Sequence, residues 1–404
     1  MIPAPRFEKS RRPWALLLCL ALAACADAPA TLVARDALFS DASFALPSER
    51  MAPDDVFKLS PAMRDYLASR VAEEAAKHGE ARGLVEALFQ DRRLQIDYDA
   101  EFTRNAAQTF DARAGNCLSL AIVTGAMAKE LGLDVLYQSV RTNEQWERDG
   151  DLLERVGHVN VTVGFPAPKI HAWGLDRDRW TVDFVPVSDR RGLDTQPISE
   201  SRIVAMYMNN RAAEALARKR TDDAYWWARS GIASDPTFTS LYNTLGVTYL
   251  RKGMLARAET ALRFALSMDS DIPESWSNLA VVLRRDGRTD EAAAIESRHV
   301  PSRAAAWLVA IDDGMKANAS GDYARALVLL QRALRTASNN HELHYQLAVT
   351  YLNLGDRARA MEQLRVAADD SVTNQQRKIY ASKLELLKST TSSFRLDPRV
   401  LQTN

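Results

Sequence analysis

Three cysteines occur in the 404 residues of this chain, and one of them stands in a setting where a thiol can react. The stretch Gly115-Asn116-Cys117 precedes an apolar run to residue 131, closed by Gly132, which reads as a helix with a glycine at its C-terminal stop. Asparagine is a good helix cap, and a helix N-terminus stabilises the thiolate that a cysteine nucleophile requires. An inert, buried thiol is the competing reading of the same residues. A base must also take the thiol proton. Of six histidines, His78 precedes the cysteine, and His299, His341 and His344 fall in the helical second half. That leaves His158 and His171. His158 opens a strand pattern in which His158, Asn160 and Thr162 share one face and Val159, Val161 and Val163 the other. A polar face ending in an imidazole suits a cleft and general-base work. His171 lies between Ile170 and Ala172 and reads as a half-buried structural residue. Asp183 is a carboxylate inside the apolar stretch RWTVDFVPV, where burial is costly without a partner. A neighbouring antiparallel strand brings facing side chains within ~5 Å, so Asp183 could orient His158. The alternative is an exposed carboxylate on an edge strand. Together Cys117, His158 and Asp183 have the chemistry of nucleophile, base and orienter. One cysteine and two scattered histidines lack metal-ligand spacing, so neither a metal nor a cofactor is expected.

These residues need elements to position them. Met63, Tyr66, Leu67, Val71 and Ala75, then Leu84 and Leu88, are spaced for two amphipathic helices ahead of the cysteine helix. After Gly132 the character changes. Residues 134–141, 158–165, 169–175 and 179–187 are short and rich in β-branched or aromatic side chains, as strands are. The polar run RTNEQWERDGDLLERVG between the first two reads as a flap. Helices followed by antiparallel strands give an α+β domain over residues 46–197.

The remainder repeats with a period of 34. Ala224, Ala258, Ala292, Ala326 and Ala360 fall in register, and twelve residues before them stand Ala212, Gly246, Ala280, Gly314 and Ala348. Gly253, Gly287, Gly321 and Gly355 precede the last four alanines by five residues. This pattern resembles the tetratricopeptide repeat, a helix–turn–helix in which small residues let paired helices touch. It predicts an all-α solenoid of five repeats over 205–374, then a C-terminal helix and tail over 375–404. In the triplet Tyr225-Trp226-Trp227, successive side chains point different ways around a helix, so one ring is expected to pack on the preceding domain. Arg251, Arg284 and Arg285 are inner-face candidates for an acidic peptide end; a solvated basic face is the plain alternative. The repeats imply a protein or peptide partner.

Residues 1–24 carry Arg6, Lys9, Arg11 and Arg12 ahead of an apolar run too short to span a bilayer, as a secretory signal does. The run ends Leu22-Ala23-Ala24-Cys25, which resembles the lipobox of bacterial lipoproteins. That resemblance implies cleavage before Cys25, its acylation, and a lipid-anchored protein facing the periplasm; Ala26 in place of Asp implies the outer membrane. Residues 25–45, rich in Ala, Asp, Ser and Pro, read as a tether. Cys19 would leave with the signal and Cys25 would be acylated, so Cys117 keeps no disulfide partner. The net charge of zero hides an asymmetry: residues 26–200 hold 20 basic and 29 acidic side chains, residues 201–404 hold 28 and 22. The shift supports a boundary near 200, and nothing in the balance points to nucleic acid.

FDARAGNCLSLAIVTGAMAKELGLDV, then GHVNVTV and WTVDFVP, resemble the transglutaminase-like superfamily over roughly residues 60–195. The resemblance implies a papain-like core with Cys117 as nucleophile, His158 as base and Asp183 holding the imidazole. It also implies acyl transfer through a thioester, by a peptidase, an amidase or a cross-linking enzyme. The backbone N–H of Cys117 is one oxyanion donor on this reading, with Gln108 as a side-chain candidate for the second. The superfamily also contains inactive scaffolds, so a non-catalytic envelope lipoprotein acting through its repeats is the alternative function.

Overall fold

The computed structural model describes residues 35–91, 94–99, 102–149, 152–165, 179–182, 194–299, 304–335, 337, 340–371 and 374–389. The chain divides at Ala45/Leu46 into two units. In the first, the described residues carry the 3-10 turn Asp41–Ser43. The second, from Leu46 onward, contains every other described element.

Helix α1, Pro61–Tyr66, starts where Ser60 accepts the Met63 N–H and proline fills the first turn. A wide π turn, Leu67–Val71, carries it into α2, Ala72–His78. Gly79, at φ +85°, reverses the chain into α3, Glu80–Phe89. Met63, Leu67, Val71, Leu84 and Leu88 are buried, as their spacing predicted. Next come β1 (Asp97–Tyr98), α4 (Ala106–Ala112), β2 (Ala114–Gly115) and α5 (Cys117–Glu130). β1 and β2 form a short parallel pair directly ahead of the cysteine. In α5 every residue from Leu118 to Ala128 is buried, which makes it the central helix of the domain. Gly132, at φ +74°, ends it as expected.

Strands β3 (Asp134–Asp149), β4 (Leu152–Gly164), β5 (Arg179–Val182) and β6 (Asp194–Ile198) form one antiparallel sheet in the order β5-β4-β3-β6. The sequence pattern is corrected here in two ways. The expected flap is the outer part of a long β3–β4 hairpin, paired out to Asp149 and Leu152. Strand β6 carries Pro197 at the sheet edge, where its missing N–H does no harm, and it lacked the β-branched signature of the others. The segments 169–175 and 183–187, also expected as strand, lie outside the described residues.

Among the described residues ten helices follow in pairs: α6 (Glu200–Ala217) with α7 (Thr221–Ser234), α8 (Thr239–Arg251) with α9 (Leu255–Met268), α10 (Pro273–Arg285) with α11 (Thr289–His299), α12 (Ala304–Ala319) with α13 (Tyr323–Leu334), and α14 (His341–Asn353) with α15 (Arg357–Asp369). Helix α16, Asn374–Ser389, packs on α15. Ala224, Ala258, Ala292, Ala326 and Ala360 are all fully buried. A Cβ on Gly246 would sit 2.6 Å from Leu262 and one on Gly314 2.7 Å from Leu330, so the paired helices meet at the small residues. Gly253, Gly287, Gly321 and Gly355 turn the last four pairs at φ between +80° and +82°, and Lys219 turns the first at +60°. Tyr249 and Tyr351 are core residues.

A close approach locks the central helix onto the sheet. A Cβ at Gly125 of α5 would lie 2.0 Å from the Tyr137 hydroxyl on β3, and that hydroxyl is buried with no hydrogen-bond partner among the described residues. Gly125→Ala is therefore expected to lower stability by about 1–3 kcal/mol through overpacking, measured by urea denaturation. Adding Tyr137→Phe should recover part of that loss. A Gly125→Ala protein as stable as the parent would show that helix and sheet are not in contact there.

Candidate functional site

The cysteine helix starts from a tightly specified corner. Arg113 ends α4 in a left-handed conformation at φ +52°, and the chain runs into β2, where Asp99 N–H reaches Gly115 O at 2.9 Å. Gly115 is required by space: a Cβ would stand 2.7 Å from that of Ser119 and 3.1 Å from the Thr109 methyl. Asn116 is the cap predicted from sequence. Its Oδ1 accepts the Ser119 N–H and the Ser119 hydroxyl, both at 2.9 Å, and the Ser119 hydroxyl accepts Arg104 N–H at 2.8 Å. Arg104 itself spans Asp99 at 3.0 Å and Ala114 O at 3.3 Å. Cys117 is the first residue of α5 and carries a free, half-buried thiol. It stands where unpaired helix N–H groups and the helix dipole favour a thiolate.

Behind the cap lies a junction that sequence reasoning missed. Asn116 Nδ2 donates to the Thr103 hydroxyl at 2.8 Å, and Asn210 Nδ2, from α6, donates to the same oxygen at 3.2 Å. The Thr103 N–H donates to Glu214 Oε1, also on α6, at 2.6 Å. Burial pushes the Glu214 carboxyl above its ordinary value, against the hydrogen bonds from Thr103 and the charge of Arg211. Arg211 pairs with Glu214 at 3.0 Å and with Glu49 at 2.9 Å.

A second contact joins the start of the domain to the first helix pair. Ser48 donates its N–H and its hydroxyl to the two Asp223 oxygens at 2.7 and 2.8 Å. Glu49 accepts from Arg220 at 2.6 Å and from Trp227 Nε1 at 3.2 Å. Burial alone would raise the Glu49 carboxyl, but Arg211, Arg220 and Trp227 outweigh it and hold it below its ordinary value. Trp227 also meets Tyr207 edge-on, with ring centroids 6.0 Å apart. It is the ring of the triplet that bonds the start of the preceding domain, while Tyr225 meets Tyr249 of the next pair with centroids 6.0 Å apart. No spacing rule marks Ser48 or Glu49, because their partners lie some 170 residues away.

His158 lies on β4, half-buried and paired with Val140. The alternation is as predicted. Val159, Val161 and Val163 are fully buried, and Val161 stands opposite Tyr137, so the valine face is the one that meets α5. Asn160 and Thr162 are 4% and 8% exposed, so the polar face is covered and not an open cleft. Thr162 bonds to Thr181 at 2.8 Å and Gln138 at 3.2 Å across it. His158 has the parity of that polar face, opposite the valines. Beside it the β3–β4 register shifts, with residues 141–144 of β3 standing against Gly157 alone. Bulges of this kind re-aim neighbouring side chains and recur next to active sites. Asp183 lies outside the described residues; β5 is described to Val182, which pairs with Val161. His171 and Cys25 also lie outside them. Gln108, the candidate second oxyanion donor, is exposed, and its Oε1 accepts Asn105 N–H to close the capping box of α4. Capping chemistry explains that residue without catalysis.

Among the described residues, Glu74, His78 and Glu86 bring ligand-type atoms within 4.8 Å of one another. Lys77 and Arg82 already bridge those carboxylates, at 2.9 and 2.7 Å, as in a surface ion-pair network. In the helical region, Arg284 is held by Glu296 at 2.5 Å. Polar side chains link the first helices of successive pairs. Thr244 donates to Asn209 at 2.7 Å, Ser275 and Asn278 donate to Asn243 at 3.1 and 3.0 Å, and Thr350 donates to Asn318 at 3.0 Å.

Family models described as tetratricopeptide repeat match residues 243–307 and 317–381. No curated protein matches the chain. Among solved structures, YrrB, described as a TPR protein with an unusual peptide-binding site, is 20% identical, covering 44% of this chain and 92% of its own, with a TM-score of 0.24. The pilF protein of Pseudomonas aeruginosa is 18% identical over 47% of this chain and 85% of its own, with a TM-score of 0.30. A thermophilic TPR protein of Thermus thermophilus is 19% identical over 45% of this chain and 99% of its own, with a TM-score of 0.32. Register, turn glycines, helix pairing and family models agree: the C-terminal half of this chain is a solenoid of tetratricopeptide repeats.

Proposed function

We propose that this chain is a partner-binding scaffold whose repeats receive a protein or an extended peptide. The observation that carries the reading is that first helices lie against one another in two stacks, α6–α8–α10 and α12–α14, tied by side-chain bonds such as Thr244–Asn209 and Thr350–Asn318. Each stack presents an inner face able to contact an extended chain at regular intervals. A photo-cross-linking residue at Gln346, on α14, should give a discrete adduct in cells, and the same residue at Glu362, on α15, should not. Equal labelling at both positions, or none at either, would overturn this reading.

The scaffold is lipid-anchored in this proposal. The support is the Leu22-Ala23-Ala24-Cys25 sequence, and among the described residues no helix is long and apolar enough to cross a membrane. Several acyl chains on Cys25 would hold the protein on the envelope, where one chain binds only marginally. Cys25→Ser is expected to abolish palmitate incorporation and release the protein from the membrane fraction. A variant that still sediments with membranes and still labels would contradict it.

A second reading is favoured by a specific observation, the free thiol of Cys117 at the first position of a capped, buried helix. In this reading the domain is a transglutaminase-like acyl-transfer enzyme. His158, oriented by Asp183, takes the Cys117 proton, and the sulfur attacks an amide carbonyl. The C–N bond then breaks as the imidazolium returns the proton to the leaving amine, and a thioester remains. Water or a second amine attacks the thioester and restores the thiol. An activated Cys117 should alkylate at pH 6 about 10- to 100-fold faster than an ordinary thiol, and His158→Ala should remove the difference. Slow and equal labelling of both proteins would eliminate the enzyme and leave the scaffold standing.

A further inference from the structure

We infer that Thr103, Asn210 and Glu214 position the start of the Cys117 helix, so that the first repeat forms part of the cysteine's environment. The inference rests on the reading of Cys117 as a reactive thiol and adds a control over it. Thr103 is 2% exposed, and its hydroxyl serves two partners. It accepts from Asn116 Nδ2 at 2.8 Å and Asn210 Nδ2 at 3.2 Å, and the Thr103 N–H donates to Glu214 Oε1 at 2.6 Å. Both lone pairs of the oxygen are used, one by the cap and one by the first repeat helix.

This determines how Asn116 sits. An asparagine amide turned end for end would present its NH2 to the Ser119 N–H, donor against donor, and the cap would be lost. Binding of Nδ2 to Thr103 forces Oδ1 onto Ser119 N–H and the Ser119 hydroxyl. Capping holds the first turn in helical geometry, and that turn supplies the N–H groups around the Cys117 sulfur. Asn210 and Glu214 are four residues apart on α6 and therefore share one face of it, the face turned to Thr103. The chain of contacts from α6 to Thr103, to Asn116 and on to Cys117 is made of direct hydrogen bonds up to the cap. These are positioning residues. They touch no reacting atom, and they act through the cap.

The test follows the pH midpoint of Cys117 alkylation by iodoacetamide in the full chain, measured by mass spectrometry on the Cys117 peptide. Thr103→Val removes the hydroxyl at constant shape, Thr103→Ser restores it, and Asn210→Ala removes one of its donors. Thr103→Val and Asn210→Ala should raise the midpoint by about 0.5 to 1 pH unit, the size expected for loss of a helix-terminus interaction. Thr103→Ser should titrate like the parent. If Thr103→Val does not fold, Asn210→Ala on the intact Thr103 carries the same comparison. Folded Thr103→Val or Asn210→Ala proteins with the parent's midpoint would overturn the inference. His158→Ala in the same series separates this result from the enzyme reading. If it leaves the parent midpoint unmoved, the base assignment fails, while the Thr103 difference is still read.

Discussion

The hydroxyl of Thr103 is the interaction on which the arrangement of this protein turns. It is a single oxygen, nearly inaccessible, bonded at once to the cap of the cysteine helix and to the first repeat helix. A buried oxygen with both lone pairs engaged is stiff. Losing one partner leaves the others with an unmet requirement worth about 1–3 kcal/mol, so the junction persists as a unit or not at all. A few residues away, Arg211 pairs with Glu214 and Glu49, and Asp223 holds Ser48. The α+β domain is thereby fastened to the first helix pair by two polar clusters, with β4 also lying against α10 of the third pair.

That fastening sets what the repeats can do. A solenoid of stacked pairs transmits bending along its length because each pair contacts only its neighbours. Here the first pair is held by a globular domain and the last is covered by α16, where Tyr380 stacks with Tyr345 and bonds to His341 at 3.1 Å. The middle pairs are tied by shared charges, with Arg288 of α10–α11 reaching Glu259 of α9 at 2.7 Å and Glu291 at 2.5 Å. Partner binding and the geometry of the cysteine helix thus share one mechanical frame, whether the domain acts as an enzyme or as a folded anchor.

Much of this was legible in the sequence, for physical reasons that name themselves. The 34-residue register of small residues is visible because paired helices cannot approach without it, and Ala258, Gly246 and Gly253 occupy the roles their spacing gave them. Asn116 could be read as a cap because capping is local, satisfied within three residues. The alternation from His158 to Val163 was readable because one strand face is a core face. What escaped notice was non-local. The outer hairpin of β3 and β4 is polar, and its pairing comes from register and not from composition. Thr103, Glu49 and Glu214 are ordinary residues until the fold delivers their partners. Gln108 looked like a candidate for chemistry and is a capping residue, since the local demand of a helix start is met first.

The parity of His158 shows the same limit in the site itself. Residue types and order match a nucleophile–base–orienter set, yet strand alternation turns His158 from the valine face that meets α5, at a point where a bulge alters the strand. The central claim is that cysteine helix and first repeat form one cooperative body. Native-state hydrogen exchange of the full chain in increasing urea tests it most directly. The account predicts that the amides of Ser119 and Leu120 on α5 and those of the Asn210–Glu214 turn of α6 open with the same free energy and the same urea dependence. Opening of α6 at lower urea while α5 stays protected would contradict it.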